Sequence, residues 1–158
     1  MKSLVIYDSQ YGNTEKIALV IGKTVGMYGE VEVVKIGAVK PGQIMGNQLL
    51  VVGSPTQQFR PTATIRNFLV RIPKNGLLGI KVAAFDTRLT MREIEKTPPL
   101  PFFVKIYGFA AERIAKQLRR KGGELVLPAE GFYVEGMEGP LVESELERAE
   151  KWALGLFA

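Results

Sequence analysis

The sequence predicts an α/β domain in three layers: a doubly wound, five-stranded parallel sheet in the order 2-1-3-4-5. Three observations point to it. Short apolar runs alternate with segments whose apolar residues recur at helical spacing. The runs are apolar almost without interruption, as strands covered on both faces must be. Polar loops follow the first, third and fourth runs, which that order makes neighbours.

The elements follow in order. Residues 3–8 (SLVIYD) read as a buried strand. Residues 14–28 read as a helix with Ile17, Val20, Ile21, Thr24, Val25 and Tyr28 on one stripe, stopped by Gly29. Residues 31–36 (VEVVKI) form a strand whose Glu32 and Lys35 suit a sheet edge. A loop-rich stretch leads to the buried strand 48–53. A helix over 62–71 places Ile65, Phe68 and Leu69, with Ile72, near one face. Residues 79–86 are the fourth strand. A helix over 106–121 carries Phe109, Ala110, Ile114 and Leu118. A fifth strand begins at 124–127 and resumes at Phe132–Val134. The last helix, 143–156, buries Leu146, Ala149, Trp152, Ala153 and Leu156, with Glu143 and Glu145 in its first turn. With no internal repeat and no linker, residues 1–158 read as one domain.

Composition narrows the chemistry. The chain has no cysteine and no histidine, which removes Cys/His metal sites, thiol nucleophiles, Ser-His-Asp triads and disulfides. No catalytic residue is assigned; a bound cofactor is expected to carry any redox work. No run reaches the roughly 18 apolar residues of a membrane span, and the N-terminus lacks a signal-peptide pattern, so a cytoplasmic location is expected. The formal charge is +5. The basic cluster Lys116, Arg119, Arg120 and Lys121 reads as a helix C-terminus before Gly122-Gly123 rather than a nucleic-acid surface.

The candidate site lies in three loops. Ser9-Gln10-Tyr11-Gly12-Asn13-Thr14 follows the first strand and opens a helix. It reads either as an ordinary cap or as an anion cradle, in which free N–H groups, hydroxyls and a glycine converge. Pro55-Thr56-Gln57-Gln58-Phe59 follows the third strand, and Phe85-Asp86-Thr87-Arg88 the fourth. Three such loops at one mouth argue for a site. The Gly22-Lys23-Thr24 triplet is not a Walker motif, because Ile17 stands where the first glycine belongs.

With these residues in view the chain resembles the flavodoxins. SQYGNT resembles their phosphate loop. GSPTQQFRPT resembles their second flavin loop, in the Ser-Pro-Thr form of flavodiiron proteins, and AAFDTR lies where the third belongs. The stretch GELVLPAEGFYVEG, followed by an acidic helix, resembles the end of a short-chain flavodoxin; the likeness spans essentially the whole chain. Flavodoxin is itself one of the folds from which the switch-point rule was drawn, so rule and resemblance are not independent. The resemblance implies FMN held non-covalently, its phosphate in Ser9–Thr14 and its ring between residues 55–59 and 85–88. Thr56 and Asp86 would add side-chain contacts. The implied role is electron transfer to a redox partner protein or small-molecule acceptor. An FMN-dependent quinone or NAD(P)H oxidoreductase, or a protoporphyrinogen-oxidase-like enzyme, is the alternative. A receiver-type signalling module shares the strand order, but Asp8 stands alone and the third strand ends in Gly53-Ser54.

The chain also departs from the family pattern. Its single Trp, Trp152, falls on the last helix's apolar stripe, which leaves Phe59, Tyr11 and Phe85 as aromatic candidates beside the ring, with Phe85 equally able to point into the core at its strand end. The second loop lacks the glycine that many flavodoxins use for a peptide flip. Arg60 and Arg88 fall in flavin loops, which predicts a less negative potential for the last reduction step than acidic surroundings give. Thr90–Tyr107, with Pro98-Pro99-Leu100-Pro101-Phe102-Phe103, reads as a stiffened apolar loop. It either tucks both phenylalanines under the next helix, the favoured reading, or forms a lid, a docking surface or a homodimer contact.

Overall fold

The computed structural model describes the backbone of all 158 residues, and the side chains of all but Ile106 and Tyr107. The strands are β1 (Lys2–Tyr7), β2 (Glu30–Lys35), β3 (Leu49–Pro55), β4 (Lys81–Leu89), β5 (Glu124–Leu125) and β6 (Glu130–Val134). Around them run α1 (Asn13–Val25), α2 (Ala63–Arg71), α3 (Met91–Glu95), α4 (Leu100–Tyr107), α5 (Ala110–Arg120) and α6 (Glu145–Gly155). The sheet is parallel, in the order β2-β1-β3-β4-β5, with β6 also paired to β4. Strands β5 and β6 therefore act as one interrupted fifth strand. Lys81 and Val82 pair with β5, and Phe85 to Leu89 pair with β6.

Alternation along each central strand sorts the core into two layers. Leu4, Ile6, Leu50, Val52, Val82 and Ala84 face one way, toward Ile65 and Leu69 of α2 and Ile114 and Leu118 of α5. Val5, Tyr7, Leu49, Val51, Ala83 and Phe85 face the other, toward Ile17 and Ile21 of α1 and Ala149 and Ala153 of α6. Each buried Leu or Ile is worth about 1.5–3 kcal/mol over exposure, so a register slip of one residue would disrupt both layers at once. Strand β2, at the edge, is only half-buried, and Glu30 and Lys35 are exposed on it. Gly53 has no room for a side chain, because the Phe85 ring of the neighbouring strand lies where its Cβ would stand.

The segment expected as a loop between β4 and the next helix instead folds as α3 and α4, and the helix expected from residue 106 starts at Ala110. The physical signals are local. Thr90 Oγ1 accepts from Glu93 N (3.2 Å) and caps α3. Pro101 lies in the first turn of α4, where a missing N–H costs nothing. Gly108, at φ +72°, then breaks the chain between α4 and α5. The expectation that both phenylalanines tuck inward is corrected: Phe102 is 60% exposed, while Phe103 is half-buried against Phe59 with ring centroids 5.9 Å apart.

Candidate cofactor site

The C-terminal ends of β1, β3 and β4 open into a cavity of about 780 Å³. Twelve of the sequence-predicted residues line it: Ser9, Gln10, Tyr11, Asn13, Thr14, Pro55, Thr56, Gln57, Gln58, Phe59, Thr87 and Arg88. Gly12, Phe85 and Asp86 do not.

The loop after β1 is built around its backbone. Gly12 is the N-cap of α1 at φ +92°, a left-handed conformation suited to glycine, and no side chain caps the helix. Ser9 Oγ accepts from the N–H of Gly12 (3.1 Å) and of Glu15 (3.3 Å). Among the described residues, the N–H groups of Gln10, Tyr11, Asn13 and Thr14 find no acceptor. They cluster at a helix N-terminus, where free donors and the dipole favour an anion. The side chains of Asn13 and Thr14 do not cap the helix but are tied to other parts of the fold. Asn13 Nδ2 donates to the Glu138 carbonyl (3.1 Å), and the Thr14 hydroxyl bonds the Thr87 hydroxyl (2.8 Å). Beneath them Tyr7 Oη donates to Glu15 Oε2 (2.6 Å). Burial, and then the Glu15 carboxylate, push the Tyr7 phenol up to about 12, so it stays a donor at neutral pH.

Asp8, alone in the sequence, ties β1 to α2. Its Oδ2 accepts from Thr62 Oγ1 (2.7 Å) and its Oδ1 from Ser9 N (2.9 Å). Thr62 in turn caps α2 by accepting from Ile65 N (3.4 Å).

The loop after β3 is built differently. Gln57 and Arg60 exchange backbone hydrogen bonds of 2.8 and 3.1 Å around Gln58 and Phe59, whose φ values are +49° and +68°. This is a two-residue hairpin turn of the kind that ordinarily takes Asn-Gly. Here both left-handed positions carry full side chains, at a conformational cost. Phe59 packs on Phe103, and Gln57 Nε2 donates to Gln10 Oε1 (2.5 Å), joining this loop to the first. Thr56 Oγ1 accepts from Ala110 N (3.1 Å), so it anchors the start of α5.

The third loop turns two of its side chains away from the cavity. Phe85 is fully buried, edge-on to Phe132 and Trp152 with centroids 6.2 and 6.3 Å away, so it is core and not a cavity wall. Trp152 likewise serves the core, as its stripe implied. Asp86 is also fully buried. Its two oxygens accept from Arg88 Nε (2.7 Å) and Nη2 (2.8 Å), and Oδ2 also from Ala111 N (2.8 Å). Desolvation pushes its carboxyl upward, against the pull of the Arg88 guanidinium and the Ala111 N–H. Arg88 also stacks over the Phe109 ring at 3.8 Å. The Arg88 charge is therefore already answered, and the cations left for the cavity are Arg60 and Arg66.

Sequence reasoning missed a further part of the wall: Arg66, Leu89, Ile94, Leu100, Val104, Phe109, Val134 and Met137. Those from α3 and α4 followed from reading that segment as a loop. Arg66 carried a usable signal, since it departs from the apolar stripe Ile65, Leu69, Ile72 one turn into α2. No Asp or Glu lies among the described lining residues, and no cluster of acidic residues there is able to hold a metal ion.

Comparison with known proteins decides the family. The flavodoxin family model matches residues 5–87, from the first strand through the third cavity loop. The chain belongs to the flavodoxin family. Flavodoxins bind FMN and transfer electrons, and the cofactor of this chain is accordingly FMN. Among solved structures the fold is similar to oxidised flavodoxin 1 from Bacillus cereus, with a TM-score of 0.78, 19% identity, and 99% of this chain and 97% of that one covered. It is similar as well to a flavodoxin from the domain Archaea (TM-score 0.75, 20% identity, 99% and 96% covered). Rubredoxin oxygen:oxidoreductase from Desulfovibrio gigas matches over 98% of this flavodoxin but only 35% of its own chain (TM-score 0.67, 19% identity). No curated protein matches the sequence. No helix among the described residues is long and apolar enough to cross a membrane.

Proposed function

We propose that residues 1–158 act as a single cytoplasmic domain that shuttles one or two electrons between redox partners through FMN held in this cavity. The observation that carries this reading is the set of unpartnered N–H groups at Gln10, Tyr11, Asn13 and Thr14, opening on a cavity without a carboxylate. These donors, with the Ser9 hydroxyl, suit the FMN phosphate. Phe59 and Tyr11 are the aromatic side chains that would flank the ring, and Pro55 to Gln58 the backbone that would meet its polar edge. FMN supplies the electron chemistry. The chain's own contribution is to bind, orient and set the local charge: Thr14 and Thr87 hold the loop to β4, and Arg60 and Arg66 favour added negative charge. Neither side chains nor metals are required as catalysts.

A second reading is an oxidoreductase that also turns over a small molecule. It is favoured by the apolar wall from Ile94, Leu100 and Val104, which extends the cavity beyond the polar loops. A visible spectrum of the purified protein tests the common core. Flavin absorption, with FMN released on denaturation, is expected. A colourless protein that also fails to take up added FMN overturns both readings. Flavin reduction by NAD(P)H with steady quinone turnover would select the second.

A further inference from the structure

Positive charge gathers on one corner of the fold, at the far end of the sheet from the cavity. Residues 57–80 carry four Lys or Arg and no Asp or Glu, whereas residues 122–158 carry eight Glu and two cations. The corner joins the C-terminal ends of α2 and α5. Lys121 Nζ donates to the Val70 carbonyl (3.2 Å), and Leu77 N donates to the Lys121 carbonyl (3.0 Å). A Cβ on Gly122 would stand 3.1 Å from Leu78 Cδ2 and 3.3 Å from Asn75 Cα. Around this junction Arg71, Lys74, Lys81, Arg119 and Arg120 are exposed, and among the described residues none of them is ion-paired. Two aliphatic side chains stand in water among them: Val70 is 71% exposed and Leu78 65%. Glu124, in register with Lys81, brings one carboxylate to the rim.

Helix dipoles account for part of this charge. Arg71, Arg119 and Arg120 lie in last turns, where cations offset the dipole. Lys74 and Lys81 lie outside both helices, and a dipole gives no reason to leave Val70 and Leu78 in water. Nor is the corner placed for electron transfer. Lys81 begins β4, and Thr87, which lines the cavity, comes later on the same strand. That length of strand spans about 20 Å at the usual rise per residue. A redox partner seated here would not meet the cofactor.

We propose that this corner is a docking surface for a bilayer carrying anionic lipid, which holds the protein with its cavity facing away. Each Lys or Arg near such a surface is worth about a fivefold gain in binding, within the roughly 10 Å that ordinary salt leaves unscreened. Val70 and Leu78 enter between the headgroups, as aliphatic side chains do at a membrane interface. That aliphatic centre favours lipid over nucleic acid, since stacking on bases uses aromatic side chains. The exposed aromatics Tyr11, Tyr28 and Phe102 lie elsewhere on the fold. Helix α6, which carries much of the acidic charge, packs in the opposite layer, so the same field turns that face away from the lipid. Docking of this kind goes beyond the electron-transfer reading and does not depend on FMN.

The test is co-sedimentation of the purified protein with vesicles of phosphatidylcholine, alone or with about 30% phosphatidylserine, at about 0.1 M and about 1 M salt. FMN content is recorded by absorbance throughout, so a failure of the docking surface and a failure of the cofactor reading are told apart. Wild type is expected to sediment with the anionic vesicles at the lower salt only. Lys74→Gln/Arg119→Gln/Arg120→Gln is expected to bind about a hundredfold more weakly, from three cations at about fivefold each. Leu78→Ser is expected to bind about tenfold more weakly, through lost apolar contact alone. Lys23→Gln, which removes a cation from the last turn of α1 in the other layer, is expected to bind as wild type does. All are exposed positions, and circular dichroism is expected to be unchanged. No binding to anionic vesicles at the lower salt overturns the proposal, as does equal binding to phosphatidylcholine alone or by the triple variant. A Lys23→Gln loss as large as that of one corner cation would show net charge, not this corner, at work. Release of vesicle-bound protein by duplex DNA or poly-L-glutamate at equal charge concentration would reassign the corner to a nucleic acid or an acidic protein.

Discussion

The loops after β1 and β3 meet at one cavity but solve the same problem in opposite ways. The first turns on Gly12, holds its shape with side-chain hydrogen bonds of Ser9, Asn13 and Thr14, and leaves the N–H groups of Gln10, Tyr11, Asn13 and Thr14 free. The second uses its backbone groups on itself, around Gln58 and Phe59 in conformations that glycine would adopt more readily. The first leaves free donors at a helix N-terminus, which suit a fixed negative charge. The second keeps costly side chains at its tip, which is sensible only if those side chains have work to do there: Phe59 meets Phe103 of α4 and faces the cavity.

The comparison can be broken at several points. The largest effect is expected at Asp86, which fastens β4 to the start of α5 beside both loops. Asp86→Asn leaves the Arg88 guanidinium buried without its counter-charge, and urea unfolding should show a loss of about 3–5 kcal/mol. Next is Gly12→Val. No atom lies within 4 Å of the added Cβ, so the cost is conformational, about 1–2 kcal/mol. If the first loop is the phosphate site, FMN titration should show affinity down about tenfold or more with circular dichroism unchanged. Thr14→Ala should act in the same direction. Affinity undiminished in both would remove that loop from the site. Arg60→Glu addresses charge. Replacing an exposed cation at the mouth by an anion should lower the flavin midpoint potential by on the order of tens of millivolts in a redox titration. An unchanged potential would discard the electrostatic role. The smallest effect separates the loops most directly. Gln58→Gly should raise stability by about 0.5–1 kcal/mol, since only the loop after β3 carries that strain; an unchanged or lower stability would show the turn relaxed.

The architecture was legible because two-sided burial leaves a plain trace. Val5, Val51 and Ala83 sit in runs with no polar interruption, and their strand order follows. Much of the cavity wall was legible for a related reason: loops closing neighbouring parallel strands must meet. What was not legible depended on direction rather than residue type. Phe85 belongs to a flavin loop by sequence, but pleating turns its ring onto Gly53 and into the core. Asp86 and Arg88 look like two independent ligands, and only their mutual 2.7 Å contact shows that they satisfy each other. The α3–α4 segment was hidden by its prolines, which mark a loop or a helix's first turn equally well.

That mutual satisfaction has a practical meaning for engineering. The buried Asp86–Arg88 pair is a sealed structural fastening, whereas Arg60 and Arg66 line the cavity without carboxylate partners. The scaffold thus separates the parts that set its shape from the parts that set its charge. The charge lining the cavity can therefore be changed at α2 and the turn before it, while the fastening that orders α5 is left alone.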